Sequence, residues 1–206
     1  MISKFLTSTA IGLALVLASS SPALSKKGDE SKAEMEAMMA KAKELGSPGA
    51  GHEVLKPLEG DWTIETKGWM PGEKKPMVST GSGSMNWVMG GRWLKQDFKG
   101  TWMGQPFEGL GYIGYDNVKK QYVSVWMDNM STGLMKSSGQ YDAAAKTIKD
   151  QGDFSCPMAN KEMSFRDEWK ILDNDNLVYS MYGNDPEGKE MKMMEIKYKR
   201  AKSASR

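Results

Sequence analysis

The sequence predicts an all-β protein: about ten antiparallel strands forming an up-and-down barrel or a clam of two curved sheets, preceded by a short N-terminal helical segment. Three observations carry this. From Asp61 onward, apolar side chains recur with a period of two in segment after segment. The breaks between segments carry turn chemistry, including YDNVKK, DNDN and NDPEGK, and no crossover helix recurs among them. A run of short antiparallel strands leaves two unpaired edges, and closure removes both.

The first element is not part of the fold. Residues 1–25 place a lysine near the start, an apolar run from Ile11 to Ala18 and a small-residue ending at Ala23-Leu24-Ser25, which together predict a secretory signal peptide cleaved after Ser25. The apolar run is far shorter than the roughly 18–20 residues that span a bilayer, so no integral membrane segment is expected after cleavage. The expected address is the periplasm or the exterior. A single cysteine, Cys156, excludes an internal disulfide in that oxidising setting.

Residues 26–49 follow as a leader helix and linker. Met35, Met38, Met39, Ala42 and Leu45 recur at helical spacing, and GSPGAG then reads as a flexible link. His52 to Leu58 predicts a short helical turn whose Leu55 and Leu58 cover one end of the following structure. The barrel domain is expected over residues 50–200. Its first strand opens at Trp62, with Trp62, Ile64 and Thr66 on one face. Further strands are expected over 77–87, 93–102, 106–115, 121–128, 133–141, 147–154, 162–172, 177–182 and 189–198. A basic tail, KRAKSASR, is expected to be solvated, with residues 201–206 outside the domain. The net charge of +2, with both signs interspersed, gives no basis for binding nucleic acid.

Gly60-Asp61-Trp62 resembles the Gly-x-Trp opening of lipocalin-like and fatty-acid-binding-protein-like barrels. More specifically, GDWTIE, the block from Gly91 to Gly139 and the terminal EMKMMEIKYKR resemble a bacterial family of exported or cytosolic proteins known only as a domain of unknown function, over roughly residues 50–200. That resemblance implies a calycin-like barrel. It supplies no activity and no residue roles.

Candidate binding residues come from parity. If Trp62 and Ile64 point inward, so do Leu94, Gln96 and Phe98, and on a later strand Met163, Phe165, Asp167, Trp169 and Ile171. Gln96 and Asp167 are polar among apolar neighbours, and burying either without a partner costs several kcal/mol. Arg92 shares the parity of Gln96 and is expected to pair with Asp167 or to clamp a ligand carboxylate. Trp126 and Asp128, in WMDNMSTG, mark a candidate rim, although Asp128, Asn129 and Ser131 are also the residues a capped turn uses.

Other motifs fail on context. Gly109, Gly111 and Gly114 fit a dinucleotide pattern but lie in a strand with no following helix, where a crowded or curved strand explains them better. Asp173 and Asp175 lack the glycine and glutamate of a calcium loop. His52, ahead of the first strand, is poorly placed as an axial haem ligand, and no nucleophile constellation surrounds Cys156. No cofactor is expected, and a non-catalytic role is preferred.

Eighteen methionines raise a copper(I) alternative through Met127, Met130, Met191, Met193 and Met194 and the cluster Met35, Met38 and Met39. Adaptable core filling explains them better, with a β-bulge near 191–194 bringing all three residues there into the core. The leading expectation is a small apolar or amphipathic ligand in the barrel. The alternatives are a structural or interaction role in the cell envelope and the copper site.

Overall fold

The computed structural model describes residues 22–202. The expected signal peptide lies outside the described residues through position 21, as does the tail after Lys202. Helix α1 runs Pro22–Leu45, longer at its N-terminal end than the periodicity suggested. Met35, Met38 and Met39 are each more than half exposed. No helix among the described residues is long and apolar enough to cross a membrane.

From Leu45 onward the chain forms its own unit. Ten strands close a barrel in simple up-and-down order: β1 Gly60–Gly68, β2 Met77–Val88, β3 Trp93–Trp102, β4 Gln105–Asp116, β5 Gln121–Asp128, β6 Met135–Asp142, β7 Thr147–Cys156, β8 Lys161–Ile171, β9 Asn176–Asn184 and β10 Glu190–Arg200. Strand β10 pairs antiparallel with β1, setting Tyr198 opposite Ile64 and Met194 opposite Gly68. This closure leaves the barrel without the free edges of an open sheet. Tight turns join the strands where the sequence allows a left-handed backbone. Met103 and Gly104 have φ of 52° and 76°, as a two-residue hairpin requires. The bulge expected near Met191–Met194 is present as a register shift between Lys192 and Met194.

One end of the barrel is plugged. Helix α2, Ala50–Glu53, and the 3-10 turn Lys56–Leu58 bring Leu55 and Leu58 into full burial. There they join Trp62, Leu94, Ile113, Tyr122, Ile148, Trp169, Leu177 and Tyr198 in one core cluster. These come from the first residues of odd-numbered strands and the last residues of even-numbered ones, so the core gathers at a single rim. The plug is also tied by polar contacts. Trp62 Nε1 donates to the Leu58 carbonyl at 2.9 Å and Tyr122 Oη to the Gly51 carbonyl at 3.0 Å.

Two sequence expectations need correction here. The link at 46–51 is not free: Arg92 Nε donates to the Gly46 carbonyl at 2.8 Å, and Asn117 Nδ2 to the carbonyls of Leu45 and Ser47 at 2.8 and 2.7 Å. Nor does the solvated tail begin at Lys199, because β10 continues to Arg200. Arg200 lies over the Trp62 ring at 4.3 Å. Its guanidinium donates to the carbonyls of Asn174, Glu59 and Pro57 at 2.7, 2.7 and 3.1 Å. A planar fork with several donors suits this task, and an ammonium does not. Replacing Arg200 with alanine should therefore cost about 2–3 kcal/mol in urea unfolding, with Arg200→Lys recovering only part.

Candidate ligand cavity

At the end opposite the plug the inward side chains no longer fill the barrel, and a cavity of about 240 Å³ opens there. That is the volume of roughly eight waters at about 30 Å³ each, just under the usual range for pockets of drug-sized ligands. Aromatic rings dominate the wall: Phe98, Trp102, Phe107, Trp126, Phe165, Trp169, Tyr179 and Tyr198. Several are held edge to face, Phe98 against Phe107 at 5.5 Å and against Trp126 at 6.5 Å. Four methionines, Met130, Met135, Met181 and Met194, fill between them.

Polar groups break this apolar wall at a few places. The hydroxyls of Ser124 and Ser137 share a hydrogen bond at 2.7 Å. Gln96 is buried and lines the cavity. Asp167 is only 4% exposed; Tyr179 Oη donates to its Oδ2 at 3.1 Å, while its Oδ1 has no hydrogen-bond partner. Directly across the strand pair stands Asp150, also 4% exposed. Ser137 is near enough to favour the Asp150 carboxylate, yet its hydroxyl is engaged with Ser124, and neither Asp150 oxygen has a hydrogen-bond partner. The Thr66 hydroxyl on the cavity wall is likewise buried and unpartnered.

Burial drives the carboxyl chemistry. Loss of hydration pushes Asp167 up to about 7, the Asp150 charge adds to this, and the Tyr179 hydrogen bond opposes it. Burial pushes Asp150 up to about 6. Two carboxyl groups facing each other in a low-dielectric interior resist double ionisation. Burial and mutual repulsion thus both favour keeping a proton on the pair.

Four of the five candidate binding residues meet in this cavity: Gln96 and Asp167 from strand parity and Trp126 and Asp128 from the rim segment all line it. Asp128 does both jobs open to it. Its Oδ2 accepts from Trp126 Nε1 at 3.0 Å and its Oδ1 from the Met130 amide at 3.0 Å, so it fixes the ring at the mouth while capping the turn. Arg92 does not join them. It sits outside β3, after a turn in which Met89, Gly90 and Gly91 all have positive φ, and it holds the link to the plug. Its expected pairing with Asp167 is replaced by bonds to the carbonyls of Gly46 and Met89. His52 belongs to the plug as well, with its Nδ1 accepting from the Gly49 amide at 3.1 Å and its ring edge-on to Tyr115.

The glycine triplet that mimics a dinucleotide motif has a steric role. A Cβ on Gly109 or Gly111 would strike the Trp126 ring, and one on Gly114 would meet Trp93 at 2.8 Å. Bare backbone on β4 thus gives Trp126 the space to lie flat beside the cavity.

Among the polar groups here, Thr66, Ser124, Ser137, Asp150 and Tyr179 were not singled out as binding candidates from the sequence. Thr66 and Asp150 share parity with Ile64 and Ile148, but polar residues on both faces of β7 remove the contrast that would mark Asp150.

Comparison with known proteins agrees with the barrel. The crystal structure of Rv2717c from M. tuberculosis is similar in fold, with a TM-score of 0.58 and 17% identity over 76% of this chain and 100% of that one. A redesigned β barrel matches more weakly, with a TM-score of 0.39 and 13% identity over 76% of this chain and 99% of that one. No curated protein matches this chain. The profile described as Protein of unknown function (DUF1579) matches residues 47–200, from the anchored link through the last strand, and the chain belongs to that family.

Proposed function

We propose that the protein is an exported container that holds one small amphipathic molecule inside its calycin-like barrel. The observation that carries this reading is the cavity itself: an aromatic wall interrupted by a buried carboxyl group with an unpartnered oxygen. Packed cores rarely leave such a group unsatisfied, and a ligand headgroup is the partner that the geometry invites. The apolar run Ile11–Ala18 and the small-residue ending at Ser25 support action outside the cytoplasm.

The reading is tested by titrating the protein with 2-phenylethanol, 2-phenylethylamine and 3-phenylpropionate, which share a ring and differ in headgroup. Trp102, Trp126 and Trp169 line the cavity, so tryptophan emission should change saturably with at least one of them, and the change should shrink in Trp126→Phe. An emission that stays linear with all three would contradict the container.

A further inference from the structure

We infer that the ligand is a cation, a small protonated amine on an apolar stem. This rests on the container reading above and supplies the headgroup that it leaves open.

The charged side chains on the cavity wall are Asp128 and Asp167, with no lysine or arginine among the lining residues. The Asp128 oxygens are occupied by Trp126 and the Met130 amide. The fully buried side-chain atoms without a hydrogen-bond partner are Asp167 Oδ1 and the Thr66 hydroxyl on the wall, and both oxygens of Asp150 beside it. Apart from that hydroxyl, every one of these atoms belongs to a group that becomes negative on ionisation.

A ligand carboxylate would find no counter-cation here, since the clamp expected of Arg92 is missing, and it would be repelled once Asp167 ionises, so acids are disfavoured. An alcohol would satisfy one acceptor and leave the buried charge uncompensated. An ammonium group brings several donors and a charge of the opposite sign, and its hydrogen bond to a carboxylate is of the strong, charge-assisted kind. The surrounding rings act in the same direction. Aromatic faces carry negative electrostatic potential and attract cations, most strongly where water is excluded. A bound metal ion fits less well, since no three or more metal-ligating histidine, cysteine, aspartate or glutamate side chains come together among the described residues.

Amine binding requires Asp167 to be ionised, so affinity should rise as pH increases from 5.5 to 8. The groups acting on Asp167 are Asp150 from β7, Tyr179 from β9 and Glu168 from its own strand. Tyr198 on β10 also lines the cavity. Both tyrosines are pushed above the ordinary phenol range by burial and stay neutral throughout. Glu168 is held outside by Arg166 at 2.9 Å.

Isothermal titration of the full protein at pH 8 with the same three compounds is the test. The amine should bind at least about tenfold tighter than the alcohol, with the acid weakest. In Asp167→Asn, checked for folding by its melting curve, the amine should lose that preference, and Asp150→Asn should weaken it. Alcohol or acid binding as tightly as the amine would overturn the inference and leave the container standing, as would an amine preference that survives both substitutions. Failure of all three compounds to bind would overturn the inference and the container together.

Discussion

Asp167→Asn should raise the stability of the unliganded protein at pH 8 by about 2–4 kcal/mol, a gain of roughly 5–10 °C in melting temperature for a chain of this size. The sign follows from linkage. The Asp167 carboxyl titrates near 7 when folded, against an ordinary value of 3.8, so the native state holds its proton more tightly than the unfolded chain. Its contribution is fully present below about pH 3.8 and is lost as pH rises through about 7. A gap of this size corresponds to at most roughly 4 kcal/mol. Asparagine keeps the shape and can still accept from Tyr179 Oη, but it never ionises. The wild type should therefore lose stability between pH 4 and 8 in thermal melts, and the variant should lose much less. Equal slopes for the two proteins would mean that Asp167 is hydrated in solution. A group that weakens the empty barrel and faces its cavity is the kind of stability cost that function explains and packing does not.

Trp62→Ala should be the most damaging single substitution among the core residues, costing about 3–5 kcal/mol. Trp62 is 1% exposed and connects three parts of the molecule. Its indole N–H holds the plug through the Leu58 carbonyl, its ring meets Tyr198 edge-on at 6.2 Å, and Arg200 covers its face. Alanine removes all three and leaves a void between the plug and the closing strand pair. Trp62→Phe, which keeps most of the apolar volume, should cost roughly 1–2 kcal/mol. Denaturant unfolding measures the energies. Hydrogen exchange should show residues 50–59 losing protection first, because the indole bond is one of their ties to the barrel. An unchanged exchange pattern in the plug would contradict this role.

The fold was legible because each strand carries its own alternation, and a half-buried surface imposes a period of two wherever it occurs. The strand starts at Met77, Trp93, Gln121 and Thr147 agree between the sequence reading and the structure. The plug was legible because Leu55 and Leu58 are too apolar for the polar turn that holds them.

The site was partly legible for the same reason. Gln96 and Asp167 betray themselves by sitting at apolar positions. Asp150 lies in TIKDQGDFSC, where polar residues occupy both faces and the inward set holds a glycine, so the contrast that exposes Asp167 is absent. Arg92 failed for a different reason. Parity counts only within a strand, and the left-handed residues 89–91 reset it just before β3 begins at Trp93. Arg200 was hidden because a basic residue near a chain terminus reads as solvated unless its carbonyl acceptors, far away in sequence, are known.

The central claim is that the barrel carries a small cationic molecule against Asp167. Native mass spectrometry of the protein purified gently from the cells that make it tests this most directly, with denaturation to release and identify whatever is bound. The account predicts a discrete added mass, released as a small amine and much reduced in Asp167→Asn. The bare polypeptide mass, both as isolated and after incubation with 2-phenylethylamine at pH 8, would contradict it.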